Sequence, residues 1–243
     1  MSPAPDGAAR GNPVPANEIR TMFDRIAPMY DAMNSVMTAG VDARWRRAAV
    51  RASGLSSGGI AVDVACGSGA LTRDLARAVA PGGAVLGVDR STGMLRVARR
   101  RRVSSGAVAP HYLAADALAL PLDDHTADAA TIAFGLRNVA DYAACVAELV
   151  RVTRPGGRVV VLELATPERG IGRAIASTWF ERVVPFLGRL VGAGSAYRYL
   201  PESVRAYPTP DEIAAIMRRG GLSAVSWRRL APGLVTLHAG RRI

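Results

Sequence analysis

The sequence predicts a doubly wound, Rossmann-like α/β domain with a mostly parallel sheet, an N-terminal helical lid and a helical cover insertion. Two observations predict the sheet. Apolar runs alternate with helical patterns between residues 60 and 164, which is the rhythm of a parallel sheet with helices on both faces. A glycine-rich turn follows the first apolar run, between Val64 and Ala70, as in nucleotide-binding folds. Apolar residues recur at helical spacing before and after this region, which predicts the lid and the cover.

The N-terminal part is predicted to form a disordered tail and the lid. Residues 1–16 contain four prolines and no apolar periodicity, which is typical of disorder. Asn17 is a predicted helix cap, and apolar side chains follow it at helical spacing until Pro28, which should divide the helix. Another helix is predicted over residues 41–52, so that the lid spans residues 17–53.

The central elements follow from short apolar runs, which predict strands, and from apolar residues spaced three or four apart, which predict helices. In order they are strand 60–65, helix 69–79, strand 84–89, helix 92–102, strands 109–114 and 127–134, helix 141–153 and strand 157–164. The alternation then stops. The cover insertion is predicted over residues 170–208, with an apolar helix-like segment at 171–192 followed by a loop rich in tyrosine and arginine. A helix at 210–219 and strands at 222–229 and 233–240 close a single domain that spans residues 17–243.

Length and composition agree with one globular domain. The chain has 243 residues, of which 49% are hydrophobic and 21% are charged, as in ordinary soluble proteins. No apolar run approaches the ~20 residues of a membrane span, and no secretory signal is evident. Cys66 and Cys145 match no metal-ligand spacing. We therefore expect a cytoplasmic protein without a metal.

The charge balance is strongly basic. The net charge is +11, and all 31 basic residues are arginine. This bias is explained either by a GC-rich genome or by a basic surface that contacts nucleic acid or anionic lipid. The densest cluster, Arg96 to Arg102, would also complement the dipole at a helix C-terminus. The lack of lysine excludes Schiff-base chemistry.

The glycine turn is expected to bind a nucleoside without a phosphate clamp. In "VDVACGSGALTRDL" the turn is Gly67, Ser68 and Gly69, preceded by Asp63 on the strand. A dinucleotide fingerprint requires a third glycine or alanine where this chain has Thr72, and a phosphate loop requires a lysine. Neither requirement is met, so a dinucleotide and a nucleoside triphosphate are both disfavoured.

Two acidic positions after the following strands complete this nucleoside site. Asp89 ends a strand and can accept hydrogen bonds from both ribose hydroxyls, whereas the neighbouring Arg90 suggests either NADP or a solvated strand end. Asp116 and Ala117 follow the next strand, where Asp116 could accept from an adenine amine or could cap a helix. Together with the glycine turn they indicate the S-adenosylmethionine (SAM) site of a class I methyltransferase.

Several longer stretches of sequence indicate a particular methyltransferase family. The chain resembles the UbiE/MenG family of ubiquinone and menaquinone biosynthesis C-methyltransferases from about residue 20 onward, in "MFDRIAPMYDAMNSVMTAGVDARWRR", "VDVACGSG", "ADALALPLDD", "TIAFGLRNV", "VTRPGGRVVVLELATP", "YRYLPESVRAYP" and "GLVTLHAG". Ser68 and Ala70 replace the family's common threonine and aspartate, and Ala133 stands where many members have serine. These changes keep backbone contacts to SAM, including one expected at Ala133, and remove side-chain contacts.

The resemblance implies methyl transfer from SAM to a ring carbon of a prenylated quinol, and we expect demethylmenaquinol. A ring carbon is a poor nucleophile until a phenolic proton is lost or shared, so a base or a positioned water is expected. Arg137 and Asn138 of "FGLRN" are the first candidates, with Arg137 stabilising the phenolate. Tyr30 and Asp31 in the lid come next. Further candidates are Tyr199, Arg205 and His238, although His238 also suits a packing role within a strand.

Other classes of function fit the sequence less well. A nucleic-acid methyltransferase would show a different acceptor loop or a nucleophilic cysteine, so no nucleic-acid partner is expected. A methyltransferase for a polyketide or other natural product, and a non-catalytic SAM-binding protein, remain as alternatives. A lipid substrate implies peripheral contact with the inner face of the cell membrane. Segment 171–192 could wall the acceptor pocket or pack in the core or in a homodimer.

Overall fold

The computed structural model describes residues 11–38, 40–165, 194–231 and 234–243. Seven strands form one sheet, and in chain order they are β1 (Ile60–Val64), β2 (Ala84–Asp89), β3 (His111–Ala114), β4 (Ala127–Ala133), β5 (Thr153–Leu164), β6 (Leu222–Leu230) and β7 (Val235–Arg242). The described helices are α1 (Ala16–Ile26), α2 (Tyr30–Thr38), α3 (Asp42–Ser53), α4 (Ala70–Ala78), α5 (Thr92–Arg100), α6 (Tyr142–Val152), α7 (Gly194–Ala206) and α8 (Pro210–Arg219). A short 3-10 turn, Leu136–Asn138, follows β4.

The sheet has the strand order β3-β2-β1-β4-β5-β7-β6. The five strands from β3 to β5 are parallel, whereas β7 runs antiparallel to both β5 and β6. The chain reverses its direction of travel across the sheet between β1 and β4, and the connections after these two strands lead to α4 and α6 on opposite faces, which leaves a crevice between them. Ligands bind at such a switch point in open α/β sheets.

Hydrophobic cores lie on both faces of the sheet, which explains the nearly continuous apolar runs of the central strands. On one face α6 and α8 pack with buried Tyr142, Leu149 and Met217. On the other face α3 and α4 pack with buried Ala49 and Leu75. Helix α3, which the sequence assigned to the lid, is therefore part of the layer that covers the sheet.

Helices α1 and α2 form the lid itself. They share a small apolar cluster with α5, in which Ile26, Met33 and Met94 are buried. Pro28 separates the two helices, as predicted, since α1 ends at Ile26 and α2 begins at Tyr30. None of the helices described here has the length and hydrophobicity needed to cross a bilayer.

The predicted disordered tail, residues 1–16, extends too far, because residues from 11 onward are ordered in the structure. The backbone N–H of Asn12 donates to the Val139 carbonyl at 2.7 Å, and the Asn12 side chain is buried. Helix α1 begins at Ala16 without a side-chain cap, so the prediction of an Asn17 cap is wrong. The Pro15 carbonyl instead accepts from the first turn of the helix. Residues 1–10 lie outside the described part.

Most other predicted elements agree with the structure to within about two residues. Strand β5 begins at Thr153, four residues before its predicted start, and the cover insertion also differs. Residues 194–206 form α7 where a loop was predicted, despite Pro201 within the helix. Burial of Val204 favours the helix over the local preference of proline. The predicted apolar helix at 171–192 lies outside the described residues.

Candidate active site

A cavity of about 450 Å³ opens at the carboxyl ends of β1, β2 and β4, a volume typical of small-molecule sites. The lid covers it from one side, and the turn after β4 borders it on another. Eleven of the twelve predicted site residues line this cavity: Tyr30, Asp31, Asp63, Gly67, Ser68, Asp89, Asp116, Ala117, Ala133, Arg137 and Asn138. The fold thus brings together residues that lie more than 100 positions apart in the sequence.

The glycine turn is shaped by two residues in the left-handed region. Gly67 has φ +54°, and a side chain added there would meet no atom within 4 Å, so the backbone is open to a ligand. Gly69 has φ +75°, and a Cβ there would overlap the Tyr112 hydroxyl at 2.4 Å. Gly69 does not line the cavity. Its role is to allow close packing of the turn against β3, so the structure does not support its prediction as a binding residue.

Asp89 is held in a fixed orientation beside this turn. Its Oδ2 accepts from the backbone N–H of Gly67 at 2.8 Å, and its Oδ1 accepts from the N–H of Ser91 at 2.8 Å. Burial raises the pKa of the Asp89 carboxyl, against the lowering effect of these backbone donors. Each oxygen keeps a lone pair free. The carboxylate is therefore an anchored acceptor suited to a pair of hydroxyl groups.

Asp63 lies on the cavity floor and is almost fully buried. Thr72 donates to its Oδ2 at 2.6 Å and Thr131 donates to its Oδ1 at 2.8 Å. Burial raises its pKa from 3.8 to about 6. Asp63 thus ties β1 to α4 and β4, and the structure explains why Thr72 occupies the third position of the glycine motif.

Asp116 and Ala117 border the cavity after β3. Asp116 Oδ1 accepts from the Leu118 N–H at 3.0 Å, and Oδ2 lies 3.3 Å from the Arg90 guanidinium. The element that follows is a turn, closed by a bridge to Ala119, rather than a helix. The helix-cap interpretation of Asp116 is therefore wrong. Arg90 is engaged by this carboxylate, which disfavours its use for a 2′-phosphate.

The lid contacts the nucleoside end of the cavity through two aspartates. Asp31 accepts from the Ser68 hydroxyl and forms an ion pair with Arg101 at 2.8 Å. Asp24, which the sequence did not point to, accepts from the Ser91 hydroxyl at 2.6 Å and from the Gly93 N–H at 2.8 Å. Asp31 was predicted as a catalytic residue. The structure instead places it against the glycine turn.

A buried ion pair joins the turn after β4 to β5. Arg137 Nη1 donates to Glu163 Oε1 at 2.6 Å and to the Phe134 carbonyl at 2.6 Å. Glu163 Oε2 accepts from the Arg137 N–H at 3.1 Å. The side chains are 6% and 0% exposed, and Arg137 Nε has no hydrogen-bond partner within the described residues. Glu163 was missed, although a carboxylate within the apolar run "VVVLEL" was a usable signal.

The remaining predicted candidates divide into two groups. Tyr30 lines the cavity, and burial raises its pKa, opposed mainly by a hydrogen bond with Asn34. Tyr199 donates from its hydroxyl to Asn138 Oδ1 at 2.8 Å. His238 lies instead in β7, fully buried, with Nε2 2.9 Å from the Pro210 carbonyl oxygen. Burial lowers its pKa to about 4, so the packing interpretation of His238 holds. Neither His238 nor Arg205 lines the cavity.

Apolar side chains, called here the apolar wall, line another part of the cavity. The Trp45 and Phe134 rings lie 6.2 Å apart at 58°. Other apolar side chains of this wall are Ile19, Phe23, Met37, Leu164, Leu200 and Leu234. The cavity therefore combines polar groups suited to a nucleoside with an apolar lining, part of which (Phe134 and Leu164) lies next to Arg137 and Glu163.

Comparison with known proteins gives consistent results. A model of the ubiE/COQ5 methyltransferase family matches residues 13–242. The demethylmenaquinone methyltransferase of Thermus thermophilus is 45% identical over 222 residues, covering 91% of this chain and 100% of that protein. The ubiquinone/menaquinone biosynthesis C-methyltransferase UbiE of Geobacter sulfurreducens is 40% identical, covering 92% and 88%.

Solved structures agree with the predicted fold class. A SAM-dependent methyltransferase from Thermotoga maritima superposes with a TM-score of 0.61 at 18% identity, covering 93% of this chain and 100% of that one. A SAM-dependent methyltransferase from Aquifex aeolicus has a TM-score of 0.59 at 18% identity, covering 82% and 89%. The prediction of a class I methyltransferase fold is confirmed.

Proposed function

Because this chain belongs to the ubiE/COQ5 methyltransferase family, we propose that it methylates a ring carbon of a prenylated quinol, with demethylmenaquinol as the acceptor. It is a methyltransferase that uses SAM as the methyl donor. One observation supports this choice of acceptor. The same cavity is lined by the polar residues proposed to bind a nucleoside, by Arg137 and by the apolar wall. We call the part of the cavity beside Arg137 the acceptor end. The names of the relatives from Thermus thermophilus and Mycobacterium marinum support a naphthoquinol nucleus.

The residues at the nucleoside end fit SAM. The open backbone at Gly67 can approach the amino acid part of the donor, and the anchored carboxylate of Asp89 can accept from the ribose hydroxyls. Asp116 and Ala117 also line the cavity, and we expect them to recognise the adenine edge. When bound, SAM supplies an electrophilic methyl group on a sulfonium sulfur. The chain has neither a lysine nor a phosphate-binding loop, so a nucleoside triphosphate does not fit this end of the cavity.

At the acceptor end, Arg137 is proposed to orient a quinol oxygen and to stabilise negative charge on it. Glu163 and the Phe134 carbonyl fix Nη1, while Nε has no partner among the described residues. The guanidinium is too basic to accept a proton, so its contribution is electrostatic and geometric. Asn138 and Tyr30 are proposed to donate to the same oxygen or to a water beside it.

The apolar wall is proposed to receive the prenyl tail, because the transfer of an isoprenoid chain from water to apolar surroundings is favourable. Exposed Val36 on the lid and the exposed Arg100 and Arg102 at the end of α5 suit contact with an anionic membrane surface. We therefore propose a cytoplasmic protein that docks on the inner face of the membrane. The expected homodimer stays a prediction, because segment 171–192 lies outside the described residues.

We expect binding to anionic vesicles to depend strongly on salt, since exposed charges are screened within about 10 Å at 0.1 M ionic strength. Sedimentation with phosphatidylglycerol vesicles should fall as salt rises and should be weak with neutral vesicles. Replacing Arg100 and Arg102 with alanine should reduce sedimentation more than the same change at Arg218 and Arg219 on α8. Equal sedimentation with both vesicle types would show that the arginines do not mediate docking.

Asp89→Ala is expected to weaken SAM binding by ~1.5–3 kcal/mol, the range for hydrogen bonds to charged groups. This corresponds to roughly a tenfold to more than a hundredfold rise in Kd. Titration calorimetry measures the change, and Asp124→Ala is a matched control because Asp124 lies outside the cavity. Unchanged SAM affinity in a folded Asp89→Ala protein would remove Asp89 from the site. NADP should not bind the wild-type protein.

The proposed function is tested in cells by quinone analysis of a strain that lacks this protein. Demethylated quinone should accumulate, and re-expression of the wild-type chain should restore the methylated form. An unchanged quinone pool together with the loss of another methylated metabolite would favour the alternative of a natural-product acceptor.

A further inference from the structure

A chain of three hydrogen-bonded side chains lies behind the acceptor end of the cavity. It joins Asn12, from the segment before α1, to Tyr199 of α7 and then to Asn138 of the turn after β4. Asn12 is 8% exposed, and it lies 187 residues from Tyr199 in the sequence. Asn138 lines the cavity, whereas Asn12 and Tyr199 do not.

The orientation of the Asn12 amide is fixed by its partners. Its Nδ2 lies 2.8 Å from the Arg137 carbonyl oxygen, which can only accept a hydrogen bond. Its Oδ1 accepts from the backbone N–H of Val14 at 2.9 Å. Both contacts require the same placement of nitrogen and oxygen. The Nδ2 group of Asn12 is therefore directed towards Arg137 and Tyr199, where it can donate hydrogen bonds.

This orientation decides the direction of the next hydrogen bond. Asn12 Nδ2 lies 2.6 Å from the Tyr199 oxygen, so it donates its second hydrogen there. Tyr199 must then donate its own hydrogen elsewhere, and Asn138 Oδ1 is 2.8 Å away. Burial raises the pKa of Tyr199 to about 12, so its hydroxyl keeps this hydrogen at neutral pH.

The consequence falls on Asn138. Its oxygen is occupied by Tyr199, so its Nδ2 occupies the other position, 3.5 Å from the Phe134 carbonyl oxygen. That distance is too long for a strong hydrogen bond, which leaves Nδ2 available to a further acceptor.

We propose that Asn12 and Tyr199 are positioning residues that hold the Asn138 amide with its Nδ2 hydrogens directed to an oxygen of the acceptor. The proposal rests on the proposed function, since a quinol supplies that oxygen. Neither residue touches the substrate. They act through Asn138, and they set which end of its amide the substrate meets.

A rate measurement tests the positioning role. Tyr199→Phe removes only the hydroxyl, and turnover with a short-chain demethylated quinol should fall about tenfold, the equivalent of one lost hydrogen bond in the transition state. SAM affinity should stay within a few-fold of wild type. In an Asn138→Ala background the same change should have almost no effect, because the amide it positions is absent. Tyr207→Phe is the control, since the buried Tyr207 hydroxyl has no partner among the described residues.

An additive double-mutant cycle, in which Tyr199→Phe costs as much without Asn138 as with it, would overturn the proposal. A second readout does not depend on the acceptor. In ¹H–¹⁵N spectra of the SAM-bound protein, the side-chain amide pair of Asn138, assigned by its loss in Asn138→Ala, should shift in Tyr199→Phe and in Asn12→Ala. An unchanged pair would also overturn it. If the wild-type protein methylates no quinol, the proposed function fails, and the amide spectra still decide whether this chain fixes Asn138.

Discussion

Arg137→Lys is expected to lower turnover at least ~10²-fold, the usual cost of losing one preorganised donor aimed at developing charge. SAM affinity should remain within a few-fold of wild type. Lysine keeps the positive charge but has a single nitrogen, so it cannot serve Glu163, the Phe134 carbonyl and an acceptor oxygen with a planar fork. Turnover with a short-chain quinol, SAM affinity and melting temperature should be measured on the same preparation.

Arg77→Lys provides the control for this substitution. Arg77 is 52% exposed and pairs with Asp74 on the surface of α4, so its replacement should leave turnover unchanged. Near-normal turnover in Arg137→Lys would contradict the catalytic role of Arg137. Tyr30 would then be the leading candidate, because His238 lies outside the cavity.

Arg137→Met is expected to lower the free energy of unfolding by ~3–5 kcal/mol, the usual cost of removing one partner of a buried ion pair. The variant leaves the carboxylate of Glu163 fully buried without its counterion. The double variant Arg137→Met/Glu163→Gln should recover part of this loss, because the uncompensated charge is gone. Urea unfolding measures both variants, with an unchanged slope showing that the comparison is valid.

Arg77→Met is the matched control for stability. Arg77 is 52% exposed and pairs with Asp74 at the surface, where an ion pair contributes about 0–1 kcal/mol. A loss below about 1 kcal/mol in Arg137→Met would mean that the pair with Glu163 does not organise the turn. The Arg137 guanidinium would then not be held in a fixed position by Glu163.

Local sequence patterns predicted the parts of the fold and the site that depend on neighbouring residues. Strand β1 and helix α4 follow from apolar periodicity, and the turn between them follows from Gly67 and Gly69. Asp89 could be assigned because the end of a parallel strand always meets the ligand edge of such a sheet. Each of these features can be recognised from a single strand and the residues that directly follow it.

The contacts that were missed join distant parts of the chain. Asn12 lies in a proline-rich stretch whose composition is typical of a disordered tail. It is ordered by hydrogen bonds to the turn after β4 and to α7. Asp24 and Glu163 are satisfied by groups from other elements. Asp31 was predicted as a catalytic candidate of the lid, and its contacts with Ser68 and Arg101 join α2 to two other parts of the chain. Such partners depend on how the elements pack.

Methyl transfer to a quinol ring carbon is tested by incubating the protein with SAM labelled on its methyl group and a panel of demethylated quinols. The panel should contain demethylmenaquinol and a benzoquinol analogue of equal tail length, with mass spectrometry and NMR to locate the label. We expect the label on the unsubstituted ring carbon of demethylmenaquinol, with no product from Arg137→Lys above about 1% of the wild-type rate. Label on a quinol oxygen, or an unlabelled quinol in the presence of bound SAM, would contradict the account.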